Sequence, residues 1–426
     1  MKKLCIVFCL MTDLAISQNI ASCKERFDKY LNFRGSVSSY MRFEKDVMYL
    51  MGPGGKTELA LYEEEIPALA ALFEFGSQKK QVELISKKGL RRLSKRELDS
   101  LVKDNPSPIT VKKEKGQMPL KGFKIALDPG HFATSLGEAF VEKKYLYFLP
   151  AGSALQDSVK IFESQLTFNT ASLVKAMLEA QGATVFLSRD KSDFTSFNCT
   201  YSDWMRRHKG RTLDSLVKIG SLSPTKGNSL LKSNEVDFFW NFFRDFDLAN
   251  RAAKINVFHP QVTAIIHYNV DEKNVPWTKH TNKNFSMAFI PGAFTSDNMA
   301  RTEGKLSFLR LLVSNQLNRS ASLAEQTVAN FHKYLDIDIA KTCDATYLRD
   351  NCISTNCAGV YCRNLALCRK INSPLVYGES LYQDNEKESH LLMKSDIDLY
   401  GIKTNERLNK VAISYYEALM NFFEIK

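Results

Sequence analysis

The chain has 426 residues, 44% of them hydrophobic and 25% charged, with 20 Gly, 12 Pro and a net charge of +11. That composition excludes a disordered, fibrous or collagen-like chain and suits one large domain with a smaller one, or two to three domains. Lys and Arg are scattered rather than striped, which argues against nucleic acid as a partner.

The first elements concern export. Lys2 and Lys3 precede the apolar run "LCIVFCLM" (4–11), and "AIS" (15–17) offers small residues for cleavage before Gln18. Residues 1–17 therefore read as a signal peptide, although Asp13 interrupts the pattern. A rival is "IASC" (20–23), which would make Cys23 a lipid anchor. No stretch is long enough to span a bilayer. Export implies the periplasm or cell envelope, where a basic protein meets anionic polymers and membrane surfaces. Cys5 and Cys9 fall in the signal, and five of the other seven cysteines lie between Cys343 and Cys368. None forms a CxxC pair, so disulfides stapling an irregular insertion are expected rather than a zinc ribbon.

Residues 18–105 read as a small separate domain of unknown role. "EEEIPALAALFEFG" (63–76) has helical apolar spacing, with Gly76 placed to end it. "SKRELDSLV" (94–102) opens with a Ser94/Glu97 capping box. Residues 106–121, rich in Pro and Lys, read as a linker. From Gly122 the character changes. "FKIAL" (123–127), "ATVFLS" (183–188), "VTAIIHY" (262–268) and "PLVYGE" (374–379) are short β-rich runs. Helical patterns at 163–181, 236–256, 321–335 and 405–424 lie between them or follow. This alternation predicts an α/β fold, a mainly parallel sheet flanked by helices, over 122–426. Segments 191–235, 271–320 and 341–362 fit neither period and read as insertions or loops.

Three of the four strands end in residues fit for chemistry: His131, His267 and Glu379. In open α/β sheets ligands gather outside the carboxyl ends of the strands, so these residues should converge. Two imidazoles and a carboxylate are ingredients of a catalytic zinc site with an open position. Glu163, opening the helical run 163–181, supplies a further carboxylate at a helix N-terminus.

The order of motifs resembles the zinc-dependent N-acetylmuramoyl-L-alanine amidases, which trim bacterial peptidoglycan. Asp128-Pro129-Gly130-His131 is followed by Glu163 through Gly182 to Ser188-Arg189-Asp190. Then come Arg251-Ala252-Ala253-Lys254-Ile255-Asn256, Ile266-His267-Tyr268-Asn269 and Glu379. The resemblance implies zinc held by His131, Glu163 and His267, with Glu379 as general base, and peptidoglycan as substrate. Glu142, in the inserted stretch 134–161, competes with Glu163 for the carboxylate ligand, but only Glu163 has the family's downstream register.

The departures are Phe132-Ala133 where the family has Gly-Gly, Tyr268 where small residues are common, and Leu381-Tyr382 after Ser380. These aromatics would narrow the groove. "DFFWNFFRDF" (237–246) reads as a buried helical face on the spacing of Phe238, Phe242 and Phe246. Arg251 and Asn256 read as braces, and His208, His259, His280, His332 and His390 match no motif. Two other functions keep the same residues: a zinc hydrolase of another envelope amide or peptide, and a non-catalytic envelope-binding protein.

Overall fold

The computed structural model describes residues 19–105, 118–150, 152, 154, 158–274 and 278–424. The signal peptide and most of the linker lie outside them. The chain divides into two units.

The first unit joins the N-terminal residues to Phe294–Asn315, a segment that sequence alone leaves inside the later domain. Helix α1 (Ile20–Arg26) starts at an Asn19 capping box. Strands β1 (Met41–Phe43), β2 (Val47–Met51) and β3 (Thr57–Tyr62) form an antiparallel sheet. Helices α2 (Ile66–Phe75), α3 (Gln78–Lys88) and α4 (Lys95–Asp104) follow, and α4 carries the expected Ser94/Glu97 box. Gly76 does end α2, but in extended rather than left-handed backbone. The helix Thr302–Val313 joins this unit because it is apolar almost all round: Leu306, Phe308, Leu309, Leu311, Leu312 and Val313 are all buried. Arg26 Nε donates to Leu312 O at 2.7 Å, and Phe308 meets Phe27 edge-on. Cys23, the candidate lipid attachment point, is buried inside α1, with Arg26 donating to its sulfur.

The second unit is built on a mixed sheet. Its strands are β4 (Lys124–Pro129), β7 (Thr184–Leu187), β8 (Val262–Asn269), β9 (Phe285–Pro291), β10 (Asp338–Ile339), β11 (Cys352–Ser354), β12 (Val360–Arg363) and β13 (Leu375–Tyr382). The short helix α5 (Leu136–Glu142) leads into a separate antiparallel hairpin, β5 (Tyr145–Phe148) with β6 (Val159–Phe162). The order is β11-β12-β9-β13-β8-β4-β7, with β10 beside β9. Strands β7, β4, β8 and β13 are parallel, while β9 runs antiparallel to β13. All but the last residue of β8 are buried, which is why it reads as a continuous apolar run. One face packs on the helices Arg244–Phe258 and Ala366–Lys370, through Ala126, Ala252, Ile255, Ile265, Leu367 and Cys368. The other lies under α6 (Glu163–Ala180) and the helices Gln316–Leu335 and Glu406–Phe422: Thr170 bonds Tyr268, and Tyr415 OH donates to Gly378 O at 3.1 Å.

Three expectations need correction. Segment 271–320 is not all insertion, since "FSMAFIP" is the sheet strand β9, whose Met287–Ile290 core lacks a polar alternation to announce it. Segment 341–362 holds a short helix and the edge strands β11 and β12. No disulfide forms among the described residues, and Cys23, Cys199, Cys343, Cys352 and Cys368 carry free thiols. The β11–β12 register explains part of this. Cys352 faces Arg363 and Ile353 faces Cys362, so the two cysteines project to opposite faces.

Candidate active site

The site stands where β4, β8 and β13 end and α6 begins. At the end of β4 the chain turns through His131 in left-handed backbone (φ 59°). Such strain persists only where surroundings hold it. Gly130 precedes it because the His267 ring lies there: a Cβ on Gly130 would come within 2.2 Å of that ring. Arg189, fully buried, clamps the turn. It donates to Pro129 O, Gly130 O and Ser164 O at 3.2, 3.0 and 3.0 Å, tying the end of β4 to the first turn of α6. Arg251 adds a bond to Pro129 O while paired with Asp247 at 2.8 Å, and Asn256 bonds the backbone of Lys370 and Asn372. Both are braces in geometry.

His131, Glu163 and His267 come together, with one ligand atom from each lying within 4.8 Å of the others. Glu163 Oε1 is 3.4 Å from His131 Nε2 and 3.0 Å from His267 Nδ1, and it accepts the Tyr268 N–H at 3.2 Å. Bonds of about 2.0–2.1 Å to a tetrahedral zinc put neighbouring ligand atoms about 3.3 Å apart, so the spacing suits that ion. None of the five other histidines joins this group among the described residues.

Glu142 is not in the trio. Its Oε1 accepts from His131 Nδ1 at 2.9 Å, and its Oε2 accepts the N–H groups of Phe132 and Ala133, each at 3.2 Å. The insertion that raised the competing carboxylate thus supplies the partner that sets the His131 tautomer and leaves Nε2 turned inward. The sequence signal for this, Glu142-Lys143-Lys144 between the two motifs, was visible, but its role was not.

Glu379 is the register partner of His267 across β13 and β8, so the two side chains emerge on one face. Its Oε2 is sealed from solvent with no hydrogen-bond partner among the described residues. Burial, then the charge of Glu163, push its pKa up to about 7. Burial disfavours a charge on His131, but Glu163 and Glu142 outweigh it and raise the pKa to about 9. Burial takes His267 down to about 4 despite its bond to Glu163. Burial would raise Glu163, yet His131 and Lys144 hold it well below the usual carboxylate range. Two imidazoles and a carboxylate converge beside Glu379, whose Oε2 is unpartnered among the described residues, and such a set can hold a divalent cation. The donor set fits zinc.

Two of the three aromatics expected to narrow the groove point elsewhere. Phe132 is buried among Tyr201, Phe239 and Phe243, and Tyr268 is turned to α6, bonding Thr170 at 2.6 Å. Tyr382 is the register partner of Asn269, on the same face as His267 and Glu379, and packs with Met287 and Phe289. Strand alternation accounts for Tyr268, since its neighbour His267 takes the opposite face. In "DFFWNFFRDF" the buried side chains are Phe238, Phe239 and Phe243 rather than the Phe238/Phe242/Phe246 stripe. A π-helical segment, Phe239–Phe243, adds a residue to the turn and shifts the face.

A family model described as N-acetylmuramoyl-L-alanine amidase matches residues 125–419. The chain belongs to this family. The amidase is an amide hydrolase acting on peptidoglycan. No curated protein sequence matches it. Among solved structures it is similar to the CwlD amidase from Clostridioides difficile in complex with the GerS lipoprotein. That match has 14% identity and a TM-score of 0.38, covering 71% of this chain and 100% of the other. The N-acetylmuramyl-L-alanine amidase Ami1 from Mycobacterium smegmatis shows 15% identity and a TM-score of 0.38, with 72% and 99% covered. The catalytic domain of CwlV from Bacillus (Paenibacillus) polymyxa shows 14% and 0.36, with 71% and 99% covered.

Proposed function

We propose that the amidase is zinc-dependent and cleaves the amide between the lactyl group of N-acetylmuramic acid and L-alanine, with the second unit as catalytic domain. His131, Glu163 and His267 hold the metal, and Glu379 is the general base. The observation that carries this reading is Glu379 itself: a carboxylate in register with His267, one oxygen unpartnered, with its pKa poised near neutrality. Zinc bound by the trio would polarise the scissile carbonyl and acidify a water. Glu379 takes a proton from the attacking water and returns it to the departing amine of L-alanine. Glu142 keeps His131 in the tautomer that faces the metal, and Arg189 keeps the His131 turn against the start of α6. Export to the envelope, through residues 1–17, brings the enzyme to this substrate. The buried position of Cys23 favours a cleaved soluble form over a lipid anchor.

Digestion of purified muropeptides, read by mass spectrometry with the metal content measured in parallel, tests the proposal. Release of stem peptides beginning with L-alanine supports it. Cleavage within the stem peptide, or none by a zinc-loaded protein, rejects it.

A further inference from the structure

Gln383 stands four residues beyond Glu379 and is buried, 2% exposed. Its Nε2 donates to Glu163 Oε2 at 3.1 Å and reaches Tyr268 O at 3.5 Å. The amide cannot be turned round, because its carbonyl would then face two acceptors. The orientation leaves Gln383 Oε1 buried without a hydrogen-bond partner among the described residues. An unpaired carbonyl in such a place costs stability, which the bond to the buried Glu163 carboxylate offsets.

The two oxygens of Glu163 are thereby divided. Oε1 faces both imidazoles, at 3.0 and 3.4 Å. Oε2 faces away to the Gln383 amide, with the Lys144 ammonium 3.8 Å off. Resting on the zinc reading above, we infer that Gln383 is a positioning residue that reserves a single oxygen of Glu163 for the metal. A carboxylate free to swing both oxygens inward would occupy the position that the attacking water needs. Gln383 prevents this by giving Oε2 a better-satisfied place outside. Lys144 alone cannot do so, because it lies beyond hydrogen-bond distance and its side chain is 30% exposed.

The test uses Gln383→Met and Gln383→Leu in the full chain, loaded with zinc or with cobalt(II). Loss of the amide should lower kcat by about tenfold with KM little changed. Metal affinity, measured by chelator competition, should be equal or tighter, and the metal-free melting temperature lower, because Glu163 Oε2 loses its donor. The visible absorption of the cobalt protein should weaken as a further oxygen joins the metal. An unchanged cobalt spectrum, an unchanged kcat, or parallel loss of metal and activity in both variants overturns the inference. A wild-type protein that takes up neither metal removes the zinc reading itself; a loaded wild type with indifferent variants overturns the role of Gln383 alone.

Discussion

Glu142 Oε1 accepts from His131 Nδ1 at 2.9 Å, so the carboxylate that competes with Glu163 in sequence is instead the partner of the first histidine. Outer carboxylates of this kind fix ring orientation and raise ligand basicity. Glu142→Ala should weaken zinc binding by roughly 10–100-fold while leaving the fold largely intact. Glu142→Gln, which keeps an acceptor for Nδ1–H, should lose less. Chelator competition on the purified variants checks the order, and equal affinities in all three proteins would contradict it.

Glu379→Gln keeps shape but cannot accept a proton. Zinc content should stay at the wild-type value while kcat falls by roughly 10²–10⁴-fold. If the variant arrives without zinc, Glu379 is a ligand and the roles assigned here must be exchanged.

The metal-free protein should lose stability as pH rises above about 6.5. Glu379 has its folded pKa raised from 4.5 to about 7, so its contribution is complete below pH 4.5 and lost as pH climbs through 7. His131 is raised from 6.5 to about 9, so its contribution is complete below 6.5 and lost through 9. His267, lowered from 6.5 to about 4, acts in the opposite sense over that lower range, so melting temperature with chelator should change little below about pH 6.5 and fall between about 6.5 and 9, while in Glu379→Gln it should rise up to about pH 6.5. With zinc the dependence should weaken or reverse, because binding releases protons.

Arg189→Met removes donors from Pro129 O, Gly130 O and Ser164 O in the buried turn. Each carbonyl keeps another donor, Arg251 on Pro129 O and Thr167 on Gly130 O and Ser164 O, so the loss should cost about 1–3 kcal/mol. Because the clamp joins the His131 turn to α6, zinc affinity should drop as well. Chemical denaturation with metal analysis tests both effects, and a stability loss with normal zinc affinity would confine Arg189 to the scaffold.

The cysteines supply a negative test. Cys352 and Cys362 lie on opposite faces of their hairpin. Adding a reducing agent should leave the melting temperature unchanged, and the exposed Cys343 should react with a thiol reagent in the native protein. A marked drop on reduction would show that cross-links form after all.

The sequence by itself determined the parallel strands β4, β7, β8 and β13, because each is a short apolar run closed by a turn signal. It also singled out His131, His267 and Glu379, since strand ends in such a sheet share one edge. Glu163 followed from its place at the head of a helix feeding β7. Tertiary structure alone decided the rest. Strand β9 carries no period of its own, being buried on both faces between β12 and β13. The fate of Phe132, Tyr268 and Tyr382 depended on which side of the backbone faced the cleft, and residue identity does not reveal that. Glu142 and Gln383 could be placed only once the chain had closed, since each meets its partner through a fold contact: 11 residues apart for His131, 220 for Glu163. The residues that arm the site are legible because chemistry restricts their type; those that aim it are not, because any donor or acceptor at the right point in space would do.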